Sequence, residues 1–322
     1  MDAVIERLSK IGLVPVVKIE RVEDAIPLAQ ALCAGGLPCA EVTFRTESAS
    51  GAIKAITEHF PTMCVGAGTV LTAAQVDAAC GAGAQFIVSP GLNPKTVKYC
   101  VEKEIPITPG VSTPSDIEAA LELGLEVVKF FPAEQAGGLP MIKALAAPYG
   151  SIKFLPTGGI SAQNLNSYLS YEKVIACGGS WMVPADLINA GKWGEIERLT
   201  REAVRTMLGF SLSHVRIPTS DEREAHKVAQ RFGTLFGLPI SDEKDAVNAG
   251  GALFAMKNST RGAKGTIAIQ TNYLTRAMYY LENVLDVKFD ASSAQTNVKG
   301  KVTSIYLDEE MSGFALMLVQ KA

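Results

Sequence analysis

The feature that most constrains this 322-residue chain is an alternation. Between residues 14 and about 180, eight short apolar runs take turns with segments of helical spacing. The runs are 14–19, 39–45, 64–70, 86–90, 107–111, 127–131, 153–156 and 174–177. Between them lie stretches such as VEDAIPLAQALCAGG, TAAQVDAACGAG, NPKTVKYCVEKE and TPSDIEAALELG, with Gly or Pro at their ends. Continuous apolar runs of this length fit parallel strands covered on both faces, joined by helical crossovers. Eight such steps predict an α/β fold, a (β/α)8 barrel. A doubly wound open sheet would alternate in the same way, so the strand count carries the choice.

The pattern then changes. Residues 185–209 read as a closing helix, so the barrel domain is expected over 1–209. After it come HVRIPTS, the helical DEREAHKVAQRFGTLFG and GALFAMK, and the order returns as GTIAIQT, YLTRAMYYLENVLD, KVTSIYLD and GFALMLVQ. This predicts a smaller α+β domain over 210–322, built from two βαβββ-like repeats.

At 48% hydrophobic and 20% charged, the chain has enough apolar content for a sizeable core. A net charge of −3 without charge blocks gives no sign of a nucleic-acid partner or a membrane-binding tail. The six cysteines all lie in the first 177 residues and form no C-x-x-C pair, which suits reduced thiols better than a disulfide frame or zinc site. The N-terminus lacks the basic start and apolar core of a signal peptide, and no apolar run reaches membrane-span length. A cytoplasmic protein is expected.

One lysine is out of place. In EVVKFFPAE, Lys129 stands in an apolar run that reads as buried on both faces. A buried ammonium is costly unless it is paired or gives up its proton, and a neutral amine can attack a carbonyl to form a Schiff base. The alternative is a lysine whose stem packs while its head reaches solvent or a carboxylate. Glu41 and Arg45 are four apart in the second run, which on a strand puts both on one face. An inward carboxylate can move protons and a guanidinium can hold a carboxylate at two points, although the two could equally form a structural ion pair. Thr69 closes the third run, and Glu134 after Pro132 reads as a loop or helix-start residue. Two glycine-rich turns, FLPTGGI and ACGGSWMV, follow the last two runs, where barrels of this type bind phosphate. A phosphate at one end and a keto acid at the other are therefore expected of the substrate.

The motifs EVTFRT, GAGTVL, FIVSPG, ITPGVSTPSDIEAAL, VVKFFPAE, PTGGI and GGSW closely resemble 2-keto-3-deoxy-6-phosphogluconate (KDPG) aldolases, over about residues 5–205. Members of that family also cleave 4-hydroxy-2-oxoglutarate (KHG). The resemblance implies that Lys129 is the Schiff-base lysine and Glu41 the general acid/base. It implies that Arg45 and Thr69 contact the pyruvyl carboxylate, that Gly158, Gly159 and Ser180 hold the phosphate, and that Thr157 is a further substrate-binding residue. It also implies a metal-independent class I mechanism without cofactor, and a homotrimer. A different class of function, a non-catalytic phosphosugar-binding regulator on the same barrel, gives no chemical reason to keep Lys129 and Glu41.

The tail resembles the vicinal-oxygen-chelate fold of glyoxalases. His214 stands where such proteins often place a metal ligand, but the matching position in the second copy is Thr266. The two other histidines are His59 in the barrel and His226 on a helix, and the last strand offers no carboxylate. No metal site is expected there.

Overall fold

The computed structural model describes residues 2–258 and 260–321, which divide into two compact units, Met1–Met207 and Leu208–Ala322.

Unit 1 is an eight-stranded parallel barrel. Its strands are β1 (Leu13–Val17), β2 (Cys39–Thr43), β3 (Cys64–Gly68), β4 (Ile87–Ser89), β5 (Ile107–Val111), β6 (Val127–Phe130), β7 (Lys153–Pro156) and β8 (Cys177–Gly179). The helices are α1 (Ala3–Ile11), α2 (Ala25–Ala34), α3 (Ala49–His59), α4 (Ala73–Gly81), α5 (Pro94–Glu102), α6 (Pro114–Glu122), α7 (Gly138–Ala146), α8 (Leu165–Leu169), α9 (Ala185–Asn189) and α10 (Trp193–Leu208). Neighbours run in the order β7-β6-β5-β4-β3-β2-β1-β8, and two isolated bridges, Phe154–Val174 and Thr157–Gly178, bring β7 to the β8 side. The barrel expected from the alternation is present and nearly closed.

Local chemistry explains where helices begin. Thr72 caps α4 by accepting from Gln75 N–H, and Asn93 caps α5 ahead of Pro94. Thr113 and Asp116 form a reciprocal capping box at the start of α6. Each such cap contributes about 1 kcal/mol by satisfying an N–H the helix cannot. The strands are buried along their length because helices cover the outside and side chains fill the inside. All six cysteines are free thiols.

Six of the eight strands differ from the sequence reading by one to three residues at an end, and two of these differences bear on the site. The second strand ends at Thr43, because Phe44 N–H bonds to Gly68 O and Arg45 N–H turns back onto Thr43 O. Arg45 therefore lies in the following turn, and strand alternation does not orient it. The eighth strand runs Cys177–Gly179 rather than 174–177. Gly178 and Gly179 are strand residues, not a turn after the strand, because Gly178 lies against Thr157. A Cβ on Gly178 would stand 2.3 Å from Thr157 Oγ1.

Unit 2 is one eight-stranded mixed sheet. It comprises β9 (Ser211–Pro218), α11 (Glu222–Phe236), β10 (Ile240–Asp242), β11 (Ala246–Ala249), β12 (Leu253–Met256), β13 (Gly265–Thr271), α12 (Leu274–Leu285), β14 (Phe289–Thr296), β15 (Val302–Met311) and β16 (Phe314–Gln320). The strand order is β10-β11-β12-β9-β13-β16-β15-β14. Each half is βαβββ, its first strand parallel to its last, and the halves join antiparallel through β9 and β13.

Candidate active site

In a closed ring of eight strands, β2 and β6 are separated by three strands in either direction. Side chains from these two strands can meet only in the barrel interior. Lys129 Nζ and Glu41 Oε1 do so at 3.4 Å, with side chains 7% and 1% exposed. Each charge offsets part of the other's desolvation, so loss of either leaves an uncompensated buried group. Lys129 Nζ also lies 5.1 Å from the centroid of the Phe131 ring. Glu41 Oε2 is buried without a hydrogen-bond partner among the described residues, and so is Thr157 Oγ1. Buried polar atoms of this kind are uncommon and mark places where a ligand or ordered water completes the set.

Each of the pair has a glycine in register with it on one neighbouring strand. Glu41 is in register with Gly66 on β3, and Lys129 with Gly110 on β5. A Cβ on Gly110 would meet Pro90 O at 2.0 Å.

Arg45 sits in the turn after β2, and its Nε donates to Thr69 Oγ1 at 3.2 Å. Thr69 follows β3 in a left-handed conformation with φ of 56°. Such backbone costs a non-glycine residue about 1–3 kcal/mol and clusters at functional sites. The contact with Thr69, not strand alternation, orients the guanidinium.

The β6 and β7 exits are tied together: Ala133 N–H donates to Thr157 O at 2.8 Å and Glu134 N–H to Gly158 O at 3.0 Å. Gly158 and Gly159 have φ of 99° and 79°, a conformation that side chains other than glycine strain to adopt. Glu134 precedes α7 and accepts a hydrogen bond from the buried Tyr168 hydroxyl. Burial and that carboxylate together push the Tyr168 phenol well above its ordinary range. Ser180 is exposed just past β8.

Lys129, Arg45, Thr157, Gly158, Gly159 and Ser180 line one cavity of about 420 Å³. Glu41 and Thr69 are not part of its wall, and reach it through Lys129 and Arg45. Thr43 and Phe131 also line it, and sequence reasoning missed both. The signal was available for Thr43, two residues beyond Glu41 within β2, whereas Phe131 lies past the end of β6 and alternation does not place it. A larger cavity of about 600 Å³ lies at the starts of β5 and β6. Its charged wall residues are the carboxylates Asp2, Glu104 and Glu126, which suit no phosphorylated acid.

In unit 2, His214 hydrogen-bonds through both ring nitrogens: Arg216 Nε donates to Nε2 at 3.2 Å, and Nδ1 lies 3.1 Å from Ser213 Oγ. Burial first, then the Arg216 charge, push its pKa down to about 4. Thr266 Oγ1 donates to Arg261 O. His226 lies near Glu222 and Asp242, their ligand atoms within 4.8 Å of one another. Lys257 Nζ already occupies both carboxylates, at 2.8 and 2.6 Å, so an ammonium supplies the counter-charge there.

A family model described as aldolase, KDPG and KHG aldolase, matches residues 4–199. The 2-dehydro-3-deoxy-phosphogluconate aldolase of Treponema pallidum (strain Nichols) is 50% identical over 205 residues, 64% of this chain and 98% of that protein. The KHG/KDPG aldolase of Escherichia coli (strain K12) is 47% identical over 192 residues, 60% of this chain and 90% of that protein. The crystal structure of KDPG aldolase from Legionella pneumophila, with pyruvate captured at low pH as a covalent carbinolamine intermediate, superposes with a TM-score of 0.60. It is 40% identical and covers 62% of this chain and 97% of that one. The barrel, the motifs that carry its buried lysine and carboxylate, and these similarities agree: the chain belongs to the KDPG and KHG aldolase family.

Proposed function

We infer that this protein is a class I aldolase that cleaves 2-keto-3-deoxy-6-phosphogluconate to pyruvate and glyceraldehyde 3-phosphate. It also cleaves 4-hydroxy-2-oxoglutarate to pyruvate and glyoxylate. The observation that carries the reading is the Lys129–Glu41 pair, which meets across the barrel interior beside a cavity lined by Arg45 and the Gly158–Gly159 turn. The covalent carbinolamine of pyruvate captured in the Legionella pneumophila relative supports covalent chemistry on an amine, the role read here for Lys129.

Lys129 passes its proton to Glu41 and, as the neutral amine, attacks the C2 ketone to give a carbinolamine. Glu41 returns the proton to the carbinolamine hydroxyl, which leaves as water and gives an iminium. The cation is an electron sink next to the bond that breaks. Glu41, now a carboxylate again and set behind Lys129, removes the C4 hydroxyl proton through an intervening water, the C3–C4 bond electrons move into the iminium, and the aldehyde departs. Protonation of the resulting enamine at C3 and hydrolysis of the iminium release pyruvate and free Lys129. Arg45 holds the pyruvyl carboxylate, with Thr69 orienting the guanidinium. Thr157, Gly158, Gly159 and Ser180 receive the phosphate, the glycines through backbone N–H groups. This reading includes a homotrimer working in the cytoplasm; among the described residues no helix is long and apolar enough to cross a membrane.

Borohydride reduction in the presence of pyruvate, followed by peptide mass spectrometry, tests the central step. A reduced pyruvyl adduct on the Lys129 peptide, lost in Lys129→Ala, is expected. A folded protein that gives no adduct sinks the class I mechanism.

A further inference from the structure

The sheet of unit 2 has two chemically distinct faces. Ala225 and Ala229 of α11 pack on Val247, Ala249 and Ala255. Alternation therefore turns Asn248 and Phe254 to the opposite face. The register carries that second face across the sheet: Phe254 pairs with Arg216, and Arg216 with Thr266. His214 pairs with Ala268, Ala268 with Met317, and Met317 with Tyr306. Arg216, His214, Thr266 and Tyr306 thus gather on the face away from α11.

Arg216 is half-buried, and its partners among the described residues are neutral. Its Nε donates to His214 Nε2 at 3.2 Å and its Nη1 to the Tyr306 hydroxyl at 3.4 Å. A guanidinium carries five N–H donors, so three have no partner among the described residues. The second guanidinium, Arg261, lies 4.8 Å from the Tyr306 ring but is neutralised by an ion pair with Asp290. Glu243, the carboxylate within electrostatic reach of His214, keeps its charge but is turned to Asn248 Nδ2 at 2.9 Å and makes no ion pair with Arg216 among the described residues. Partial burial of a cation among neutral groups is costly, and the cost is recovered when an anion takes the unused donors. The planar fork of arginine fits two oxygens on one centre.

We propose that this face of unit 2 is a binding site for a small carboxylate anion, held at two points by the Arg216 guanidinium. The one charge of Arg216, which no carboxylate pairs among the described residues, matches a monoanionic carboxylate better than a phosphate monoester, which brings close to two. The Phe254 ring, 4.8 Å from the His214 ring, supplies an apolar flank for the rest of the acid.

The test uses the full-length protein and acetate or propionate as probes, because each carries one charge and neither has a ketone with which Lys129 could condense. The chain has three histidines, so their ring NMR signals can be assigned with His214→Gln as the reference for one of them. Saturable displacement of the His214 signals by acetate or propionate at millimolar concentration is expected, with His59 unmoved. Arg216→Gln should weaken the effect at least about tenfold, and Arg216→Lys, which keeps charge but loses the fork, should also weaken it. Absence of saturation in the wild-type protein overturns the site, and so does equal binding by folded Arg216→Gln. Saturation by inorganic phosphate at lower concentration than either acid overturns the carboxylate assignment.

Discussion

Gly68 and Glu41 occupy the same space up to the last hydrogen: a Cβ on Gly68 would stand 2.2 Å from Glu41 Oε1 and 2.8 Å from its carboxyl carbon. The glycine is thus what lets a carboxylate from β2 cross toward Lys129. Gly68 has no positive φ, so alanine is compatible with its backbone and the conflict is steric alone. Gly68→Ala should push the Glu41 carboxylate away from Lys129. Overpacking of this sort costs about 1–3 kcal/mol of stability. Activity should suffer more than stability, with kcat falling toward the level of Glu41→Gln while the protein remains folded. Steady-state kinetics beside a thermal melt separate the two effects, and full activity in a folded Gly68→Ala protein would contradict the placement of Glu41.

Glu41→Gln keeps the volume at the centre of the barrel but removes the base. Loss of a positioned general acid/base lowers rates roughly 10²- to 10⁴-fold. Cleavage should fall by that amount, while borohydride with pyruvate still labels Lys129 given longer exposure. Lys129→Ala should lose both activities and also be destabilised, because it leaves the buried Glu41 carboxylate without its cation. An unlabelled but active Glu41→Gln protein would remove the division of labour between the two residues.

Much of this site was legible because parallel strands covered on both faces read as plain apolar runs, against which a lysine stands out. Lys129 and Glu41 sit within their strands, where alternation is a sound guide. Arg45 lies past the last ladder residue, so the same alternation placed it for the wrong reason. The eighth strand was read early because Val174 and Ile175 carry side chains that mark a run, whereas Gly178 and Gly179 carry none. What selects those glycines is the nearness of Thr157 and the Trp181 ring, a three-dimensional fact. In unit 2, β10 and β14 escaped notice because Ile240–Asp242 is exposed throughout and Phe289–Thr296 is largely polar.

Tyr168 and Glu134 brace the turn proposed to hold phosphate. Glu134 sits against Gly159, where a Cβ would meet the Glu134 Cβ at 2.6 Å, and Tyr168 donates to its carboxylate. Tyr168→Phe leaves that carboxylate without its donor beside the expected phosphate. Removing one partner of a buried hydrogen bond costs about 1–3 kcal/mol. KM for 2-keto-3-deoxy-6-phosphogluconate should rise several-fold, while KM for the phosphate-free 4-hydroxy-2-oxoglutarate changes little. Equal rises for both substrates would assign Tyr168 a purely structural role.

His214 makes unit 2 sensitive to acid in a defined window. Its folded pKa is pushed down to about 4, by burial and then by the Arg216 charge, against about 6.5 in an unfolded chain. Between those values the unfolded state binds a proton that the folded state refuses, so stability rises with pH across the window. The contribution is complete above about pH 6.5 and is lost as pH falls toward 4. Hydrogen exchange of peptides covering 211–218 should therefore accelerate as pH drops from 7 to 4.5, after correction for intrinsic rates. The slope should flatten in His214→Gln, whose side chain keeps a hydrogen-bonding group but does not titrate. Carboxylates also titrate near the lower end, so the difference between the two proteins is the quantity to read. Identical slopes would mean that His214 gains its proton without strain on the sheet, and that Arg216 does not oppose it.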